Sequence, residues 1–408
     1  MKKHLVLIVG AYYPTPSPTG KCAEAYMDLL KDQFDISVIC VADTDRVSYK
    51  HNGKEVYPAA SWYTLFQHRL EKKVPKSLQN LAKIPVHLRQ CFTQPNNLYS
   101  YVNAARKQLE AVHAQRPVDV IFSAGAPMAA HVAARNFRKK HPEVRWVTYT
   151  VDSYAAQNKN TRGYTRAMAF EADVLTACDW ALLSEEIYES NPTLYADFAK
   201  KCGVLPYLMP PTPPRAEDAQ YFDPEKTNLV YAGRFYKAIR NPEYLLQLAL
   251  KMDESCVLHL YCQSDCDGII DDYVRRSGGK IVRHAPVSVE EIQRIYTQAD
   301  ALVNVGNNTP EFKPSKTFEY IASGKPILNI YYEGQFDEVL AASPLTLQLS
   351  RSTPVTESAA ALRVFLETNQ GKTFLRDVIE KTYYTHSGEH IKDILENAMK
   401  KQVLTKEE

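Results

Sequence analysis

Short apolar runs alternate with segments of helical periodicity along most of this chain, and this alternation restricts the possible folds more than any other sequence feature. In the C-terminal half the apolar runs fall at 228–232, 257–261, 301–305 and 326–331. Helical segments separate them, among them 241–252 and a helix that Ser288 and Glu291 open as a capping box. Strands that alternate with helices over short connections predict a parallel sheet with helices on both faces.

The N-terminal half repeats this pattern and is separated from the other half by prolines. Strand-like runs occupy 4–9, 36–42, 118–123 and 144–151, and helices are predicted at 21–33, 127–140 and 162–178. A cluster of prolines favours a semi-rigid linker here, because proline cannot occupy a central strand. These prolines are Pro206, Pro210, Pro211, Pro213, Pro214 and Pro224. We therefore predict an α/β protein with domains over 1–205 and 206–385, followed by a closing helical segment over 386–408.

Composition excludes several classes of protein. With 408 residues, of which 45% are hydrophobic and 24% charged, the chain is neither disordered nor a coiled coil. No apolar run approaches the roughly 18 residues of a transmembrane helix, and the basic start lacks a signal-peptide core, so we expect a cytoplasmic protein. Eight scattered cysteines fit a reducing compartment. Residues 1–200 carry a net charge of +6 and residues 201–408 of −4, and no nucleic-acid-binding motif accompanies them.

The segment 311–319 contains two glutamates around a predicted helix start. Ser315 is a plausible N-cap, so the amides of Lys316, Thr317 and Phe318 are unpaired donors at a positive helix end, where phosphate binds well. In an open parallel sheet this loop lies beyond the carboxyl ends of the strands, where ligands bind. Glu311 and Glu319 could then contact the hydroxyls of a bound phosphate ester. The alternative is a solvated loop acid and a helix-stabilising glutamate.

Two sequence segments resemble a known enzyme family. PSKTFEYIASGKPIL (314–328) resembles the nucleotide-sugar-binding segment of retaining glycosyltransferases of the glycosyltransferase-B fold, especially family four. YAGRFYKAIRNP (231–242) is similar to the glycine-plus-basic segment of that family. The resemblance implies two Rossmann-like domains facing a central cleft, with the acceptor in the first, the nucleotide sugar in the second and a final helix packing back on the first.

The resemblance also implies roles for individual residues in the C-terminal half. Glu311 would lie beside the donor sugar and Glu319 would contact the ribose. Arg234, after Gly233, would hold the diphosphate, and Lys237 and Arg240 compete for the second basic position. Basic groups around a leaving diphosphate stabilise the charge that develops as the glycosidic bond breaks. The alternative for these three basic residues is a solvated surface cluster.

Three residues of the N-terminal half are weaker candidates for a ligand cleft. Asp152 follows the strand 144–151 at a place where the family has an acidic residue or a histidine, although an N-cap or turn role is the alternative. His131 is likewise a candidate for the cleft, and the alternative is a histidine that packs within the protein from its helix. Gly20, at the end of the loop 10–20, either lets the backbone approach a ligand or belongs to a flexible turn.

The sequence offers two apparent metal motifs, which we reject. Asp43 and Asp45 form a D-x-D pair, but they lack the surrounding sequence of a metal-dependent transferase, and the family resemblance implies no metal. Cys256 and Cys262 share one face of a predicted strand while His259 points to the other, so they and Cys266 cannot converge on zinc.

A basic stretch over 68–89 carries six Lys/Arg side chains interleaved with apolar ones. Such a segment either lies on an anionic membrane surface or covers the domain as solvated helices.

We expect an enzyme that moves a sugar from a nucleotide diphosphate sugar to a glycan or lipid-linked acceptor, with retention and without a metal or other cofactor, in surface polysaccharide or glycoconjugate synthesis. Glu311, Arg234 and Asp152 are the predicted catalytic residues. The residues expected to bind the donor are Gly233, Lys237, Arg240, Ser315, Lys316, Thr317 and Glu319. On the acceptor side, we expect Gly20 and His131 to line the cleft. The alternatives are an epimerase or phosphorylase of the same fold, or a catalytically silent glycan-binding subunit.

Overall fold

The computed structural model describes residues 2–42, 47–61, 64, 66, 99–158, 163–190, 199–214, 219–308 and 316–400. Glu311, Ser315, the Asp43/Asp45 pair and the basic stretch 68–89 lie outside the described residues. The chain divides into two compact units. Unit 1 comprises Met1–Leu208 together with Gly388–Glu408, and unit 2 comprises Met209–Ser387.

The described part of unit 1 is built on an eight-stranded sheet with the order β3-β4-β2-β1-β5-β6-β7-β8. Its pairs are parallel except for the β3–β4 hairpin. The strands are β1 Lys3–Ile8, β2 Phe34–Val41, β3 Tyr49–His51, β4 Lys54–Ala59, β5 Val120–Gly125, β6 Arg145–Thr150, β7 Trp180–Leu183 and β8 Cys202–Val204. The α-helices are α1 Pro18–Leu30, α2 Tyr99–Gln115, α3 Met128–Arg138, α4 Tyr154–Gln157, α5 Tyr164–Ala177, α6 Glu185–Ser190 and, at the C-terminus, α14 Gly388–Lys400.

Two apolar cores cover the two faces of this sheet, as the near-continuous apolar strands require. One core places α2, α3 and α5 against side chains such as Ile121 and Trp146. The other places α1 and α14 against Phe122 and Tyr149. The α14 helix is held further by the Arg145 guanidinium, which donates two hydrogen bonds to the Ala398 carbonyl at 2.9 and 2.7 Å.

Unit 2 has a six-stranded parallel sheet with the order β11-β10-β9-β12-β13-β14 among its described residues. The strands are β9 Thr227–Phe235, β10 Cys256–Ser264, β11 Ile281–Arg283, β12 Ala301–Val305, β13 Ile327–Tyr331 and β14 Thr346–Ser350. The helices are α7 Glu243–Leu250, α8 Asp267–Arg276, α9 Val289–Gln298, α10 Lys316–Ser323, α11 Glu338–Ala341, α12 Val355–Asn369 and α13 Arg376–Thr382. Separate cores on the two faces again make a three-layer α/β arrangement. The predicted α/β class with two parallel-sheet domains is therefore confirmed, with the β3–β4 hairpin as the exception.

Local sequence signals account for several helix ends. Ser288 caps α9 by accepting a hydrogen bond from the Glu291 amide at 3.1 Å, as the capping box predicts. Gly324 ends α10 with a φ of 71°, in the left-handed region that favours glycine. The prediction for α1 was wrong by three residues, because Ser17 caps a helix that begins with Pro18 at its first position. Within the described residues, no helix is both long and apolar enough to cross a membrane.

A buried charge cluster fastens the loop after β1 to the β3–β4 hairpin. The Glu24 carboxylate accepts hydrogen bonds from the Tyr12 hydroxyl, from Lys54 Nζ at 2.8 Å and from Asn52 Nδ2 at 3.1 Å. The side chains of Glu24 and Lys54 are each only 5% exposed. Since Tyr12 belongs to the loop and Asn52 and Lys54 to the hairpin, one carboxylate holds both segments.

We predict that Lys54→Ala destabilises the protein by about 3–5 kcal/mol, because Glu24 is left as a buried charge without its ammonium partner. Lys50→Ala in the same hairpin is the matched control, since its pair with Glu55 is 73% and 43% exposed and contributes about 1 kcal/mol or less. Urea unfolding of both variants measures the difference. Equal loss of stability in the two variants would contradict this assignment.

Candidate functional site

Strand β9 runs further than its sequence predicts, and this changes the place of Gly233. The apolar run 228–232 predicted a strand ending at the glycine, but β9 continues to Phe235 and pairs Gly233 with Cys262 and Arg234 with Gln263. A Cβ on Gly233 would lie 3.1 Å from the Tyr231 hydroxyl. Gly233 therefore accommodates the folded-back Tyr231 side chain within the strand and is not a strand-terminal turn.

The basic residues at the end of β9 and just beyond it lie beside and on a tight turn over 236–240. Tyr236 and Arg240 exchange backbone hydrogen bonds at 3.2 and 2.8 Å across it. Exposed Arg234 stacks on the Tyr236 ring, with its guanidinium carbon 5.2 Å from the ring centroid. The Lys237 amide donates to Asp265 Oδ1 at 2.7 Å, which lowers the pKa of that carboxyl.

The loop after β12 holds this turn through side-chain and backbone hydrogen bonds. Arg240 Nε donates to Asn307 Oδ1 at 3.0 Å. The Asn308 amide donates to the Ile239 carbonyl at 2.8 Å, and its Nδ2 donates to the Ala238 carbonyl at 2.6 Å. The Arg240 guanidinium is thus fixed at the carboxyl ends of β9 and β12, whereas Lys237 is exposed and its amide, not its ammonium, makes the contact with Asp265.

Helix α10 brings its first turn to the same edge of the sheet. Its Tyr320 hydroxyl donates to the Ala232 carbonyl at 3.1 Å, which fixes the helix against β9. Helix α10 follows β12 and leads into the parallel strand β13, so it runs antiparallel to the strands. Its N-terminus therefore lies at the carboxyl-end edge of the sheet, where Arg234 also lies near the end of β9.

The first turn of α10 carries charged and polar side chains. Lys316 Nζ lies 2.6 Å from Glu319 Oε2 and stands over the Tyr296 ring, 5.8 Å from its centroid. The Thr317 hydroxyl is buried and has no hydrogen-bond partner among the described residues. Since a buried hydroxyl without a partner is unfavourable, Thr317 is a candidate contact for a ligand oxygen. Tyr296, whose ring also packs against Tyr320, was not predicted to lie beside Lys316. An aromatic residue within a helix indicates only a core position from the sequence.

A second group of polar residues lies in unit 1 at the carboxyl ends of β5 and β6. A small cavity of about 10 Å³ lies between Gly125, His131, Thr150, Asp152, Tyr154 and Gln157. Burial raises the pKa of Asp152. His131 is 1% exposed, and burial lowers its pKa to about 3, so its imidazole is neutral at physiological pH. Asp152 and His131, weak candidates in the sequence, thus line one cavity.

Gly20 does not mark an open ligand-binding turn at the helix start. It lies inside α1, where its amide donates to the Ser17 hydroxyl at 3.1 Å. A Cβ at this position would meet the Ala11 carbonyl oxygen at 2.3 Å. Glycine is needed because the helix and the loop after β1 approach each other closely, which is a packing constraint.

The cysteines and histidine of unit 2 do not converge, as their strand positions predict. Cys256 and Cys262 lie in one core, while His259 on the other face packs against Phe222 and bonds to His284 and Asn228 at 2.9 and 3.0 Å. Among the described residues, His113, His141 and Glu143 do come within metal-ligand spacing. However, His113 Nδ1 accepts a hydrogen bond from the Val118 amide at 3.1 Å, and His141 Nε2 contacts Glu110 at 2.9 Å, so one ring nitrogen of each histidine is already used within the protein.

Comparisons with solved structures find the same architecture over nearly the whole chain. Sucrose-phosphate synthase from Thermosynechococcus elongatus matches with a TM-score of 0.67 and 12% identity over 97% of this chain and 98% of that one. A UDP-forming α,α-trehalose-phosphate synthase from Burkholderia xenovorans, in complex with glucose-6-phosphate, matches with a TM-score of 0.65 and 10% identity over 98% and 100%. Anabaena HepE in complex with UDP and glucose matches with a TM-score of 0.57 and 11% identity over 97% and 99%.

No family model matches the sequence, and no curated protein sequence matches it either. The structural likeness at these identities therefore bears on the fold. The two parallel-sheet α/β units of this chain, and the similarity of the whole chain to these structures, show that it has the glycosyltransferase-B fold.

Proposed function

We propose that this protein is a glycosyltransferase that moves a sugar from a nucleotide diphosphate sugar to a hydroxyl of a glycan or lipid-linked acceptor. The observation that carries the proposal is the attachment of the basic 236–240 turn to Asn307 and Asn308 beside the first turn of α10. In open α/β sheets this edge is where ligands bind. The fold is shared with Anabaena HepE, whose structure is a complex with UDP and glucose.

The basic side chains suit a diphosphate. Arg234 supplies an exposed guanidinium, and Arg240 supplies a second one held in place by Asn307. The first-turn amides of α10, among them those of Lys316 and Thr317, have no acceptor within the helix and can donate at its positive end. Of the two residues competing for the second basic position, Arg240 is favoured, because a prepositioned guanidinium loses less side-chain entropy on binding than the exposed Lys237 side chain.

In the proposed reaction the bond between the anomeric carbon and the diphosphate oxygen breaks and a bond to the acceptor oxygen forms. The nucleoside diphosphate leaves with the bonding electron pair, and its departing oxygen takes up the proton that the acceptor hydroxyl loses. Fixed positive groups around the leaving diphosphate stabilise the transition state more than the ground state, because negative charge develops there as the bond breaks. We propose that these basic groups take the place of a divalent metal ion, and that transfer proceeds with retention, as the sequence resemblance implies.

We propose that unit 1 binds the acceptor. Asp152 lies in the cavity at the ends of β5 and β6, where it would contact a sugar hydroxyl. Glu311 would lie beside the donor sugar, as the sequence resemblance implies. Turnover is tested by incubating the protein with UDP-, GDP-, dTDP- and ADP-sugars in EDTA and measuring release of the nucleoside diphosphate. No release with any donor, with or without candidate glycans, would refute the proposal and favour a binding subunit.

We predict different kinetic effects for the two glutamates. Glu319→Ala should raise the donor KM about 10- to 100-fold with little change in kcat, because a ribose contact is equally strong in the ground and transition states. Glu311→Ala should mainly lower kcat, because geometry changes at the sugar during transfer. Steady-state kinetics measures both, with Glu367→Ala, an exposed glutamate of α12, as the control. Unchanged donor KM and kcat in both glutamate variants would remove both roles.

We also propose that the basic stretch 68–89 contacts an anionic membrane surface. Replacing Lys72, Lys73 and Lys76 by Ser should weaken co-sedimentation with anionic vesicles up to about a hundredfold, at about 1 kcal/mol per lysine. The control is the triple variant of exposed Lys31, Lys107 and Lys139 in the same unit. Binding that is independent of salt, or equal loss in both triple variants, would contradict a specific membrane contact.

A further inference from the structure

A chain of three buried side chains determines which nitrogen of His131 carries its proton. Trp146 Nε1 donates to the Ser123 hydroxyl oxygen at 2.8 Å, and the same oxygen lies 2.8 Å from His131 Nδ1. Ser123 and Trp146 are fully buried. The strand periodicity places Ser123 on β5 and Trp146 on β6 on the same face of the sheet, which α3 covers with His131.

The direction of these hydrogen bonds follows from the donor inventory. The indole N–H can only donate, so Ser123 Oγ must accept from Trp146. The hydroxyl proton of Ser123 then needs its own acceptor, and among the described residues His131 Nδ1 is the one within reach. Leaving a buried hydroxyl proton unpaired is unfavourable by about 1–3 kcal/mol, so Ser123 donates to Nδ1. The proton of the neutral imidazole consequently resides on Nε2.

His131 Nε2 faces the cavity that contains Asp152. It lies 3.4 Å from the Thr150 hydroxyl, and a Cβ on Gly125 would come within 2.5 Å of it, so only glycine leaves room there. The cavity volume of about 10 Å³ suits one water-sized group. Its polar lining offers a hydrogen-bond donor, Nε2–H, and an acceptor, the Asp152 carboxylate. A hydroxyl group, which both accepts and donates, is the complementary ligand.

We propose that this cavity binds a single sugar hydroxyl between His131 Nε2–H and Asp152, and that Ser123 and Trp146 act as positioning residues by locking His131 in the Nε2–H form. This inference rests on the proposed glycosyltransferase function, because the hydroxyl belongs to the acceptor or the donor sugar. The low pKa of buried His131 agrees with a group that remains a neutral donor throughout the reaction.

The kinetic test uses two amide substitutions of His131. A glutamine amide reaches the position of Nε2 and can donate there, whereas an asparagine amide reaches only the position of Nδ1. His131→Asn should raise one sugar KM about tenfold, the effect expected for one lost hydrogen bond, and His131→Gln should restore most of it. An increase confined to the acceptor KM assigns the hydroxyl to the acceptor, and one confined to the donor KM assigns it to the donor. Unchanged KM values in His131→Asn, or equal defects in both variants, would overturn the proposal.

The lock itself is tested without turnover. In ¹⁵N-histidine-labelled protein, the His131 signals, assigned by their loss in His131→Gln, should show a neutral Nε2–H ring from pH 8 to pH 5. Ser123→Ala should populate the Nδ1–H form. An Nδ1–H or charged His131 in the unsubstituted protein would refute the lock even in an active enzyme. Absence of turnover with every nucleotide sugar would instead refute the function, and with it the sugar as the occupant.

Discussion

The hydrogen bonds between the 236–240 turn and Asn307–Asn308 are the interaction on which the proposed donor site depends. They join the ends of β9 and β12, the two central strands of unit 2, and they fix the Arg240 guanidinium at the edge that α10 also reaches. Without them, the Arg240 guanidinium would be a mobile surface charge with little preference for one ligand geometry. The hydrogen bond from the Tyr320 hydroxyl to the Ala232 carbonyl then fixes α10 against β9.

In unit 1, buried polar groups hold neighbouring segments in place by hydrogen bonds. Glu24 joins the loop after β1 to the β3–β4 hairpin, and Ser123 joins Trp146 to His131. In both places a polar group in an apolar core has its hydrogen bonds satisfied, and its partners are thereby restricted to one arrangement. The Ser123 hydrogen bonds consequently hold His131 in one orientation at the cavity that it shares with Asp152.

Much of this architecture could be predicted from the sequence, because it follows from local periodicity. The strand 301–305 and the start of α10 at Lys316 coincide with the predicted positions, and the Ser288 cap is confirmed. The sequence predictions were wrong at positions where tertiary contacts determine the structure. β9 extends beyond Gly233 because its pairing with β10 continues to Phe235, and Gly20 is required by the nearby Ala11 carbonyl. Asn307, Asn308 and Asp265 were not predicted, because their partners are distant in sequence and no local pattern marks them.

The central claim is that Arg240, oriented by Asn307, binds the diphosphate of the donor without a metal ion. Calorimetric titration of nucleoside diphosphates in EDTA, across Arg240→Ala, Asn307→Ala and the double variant, tests it most directly. We expect binding to persist in EDTA, Arg240→Ala to weaken it about 10- to 100-fold, and the double variant to be no weaker than Arg240→Ala, since Asn307 acts through the guanidinium. Exposed Arg275→Ala on α8 should have no effect. Loss of all binding on chelation, or a weakening by Arg240→Ala no larger than that by Arg275→Ala, would contradict the claim.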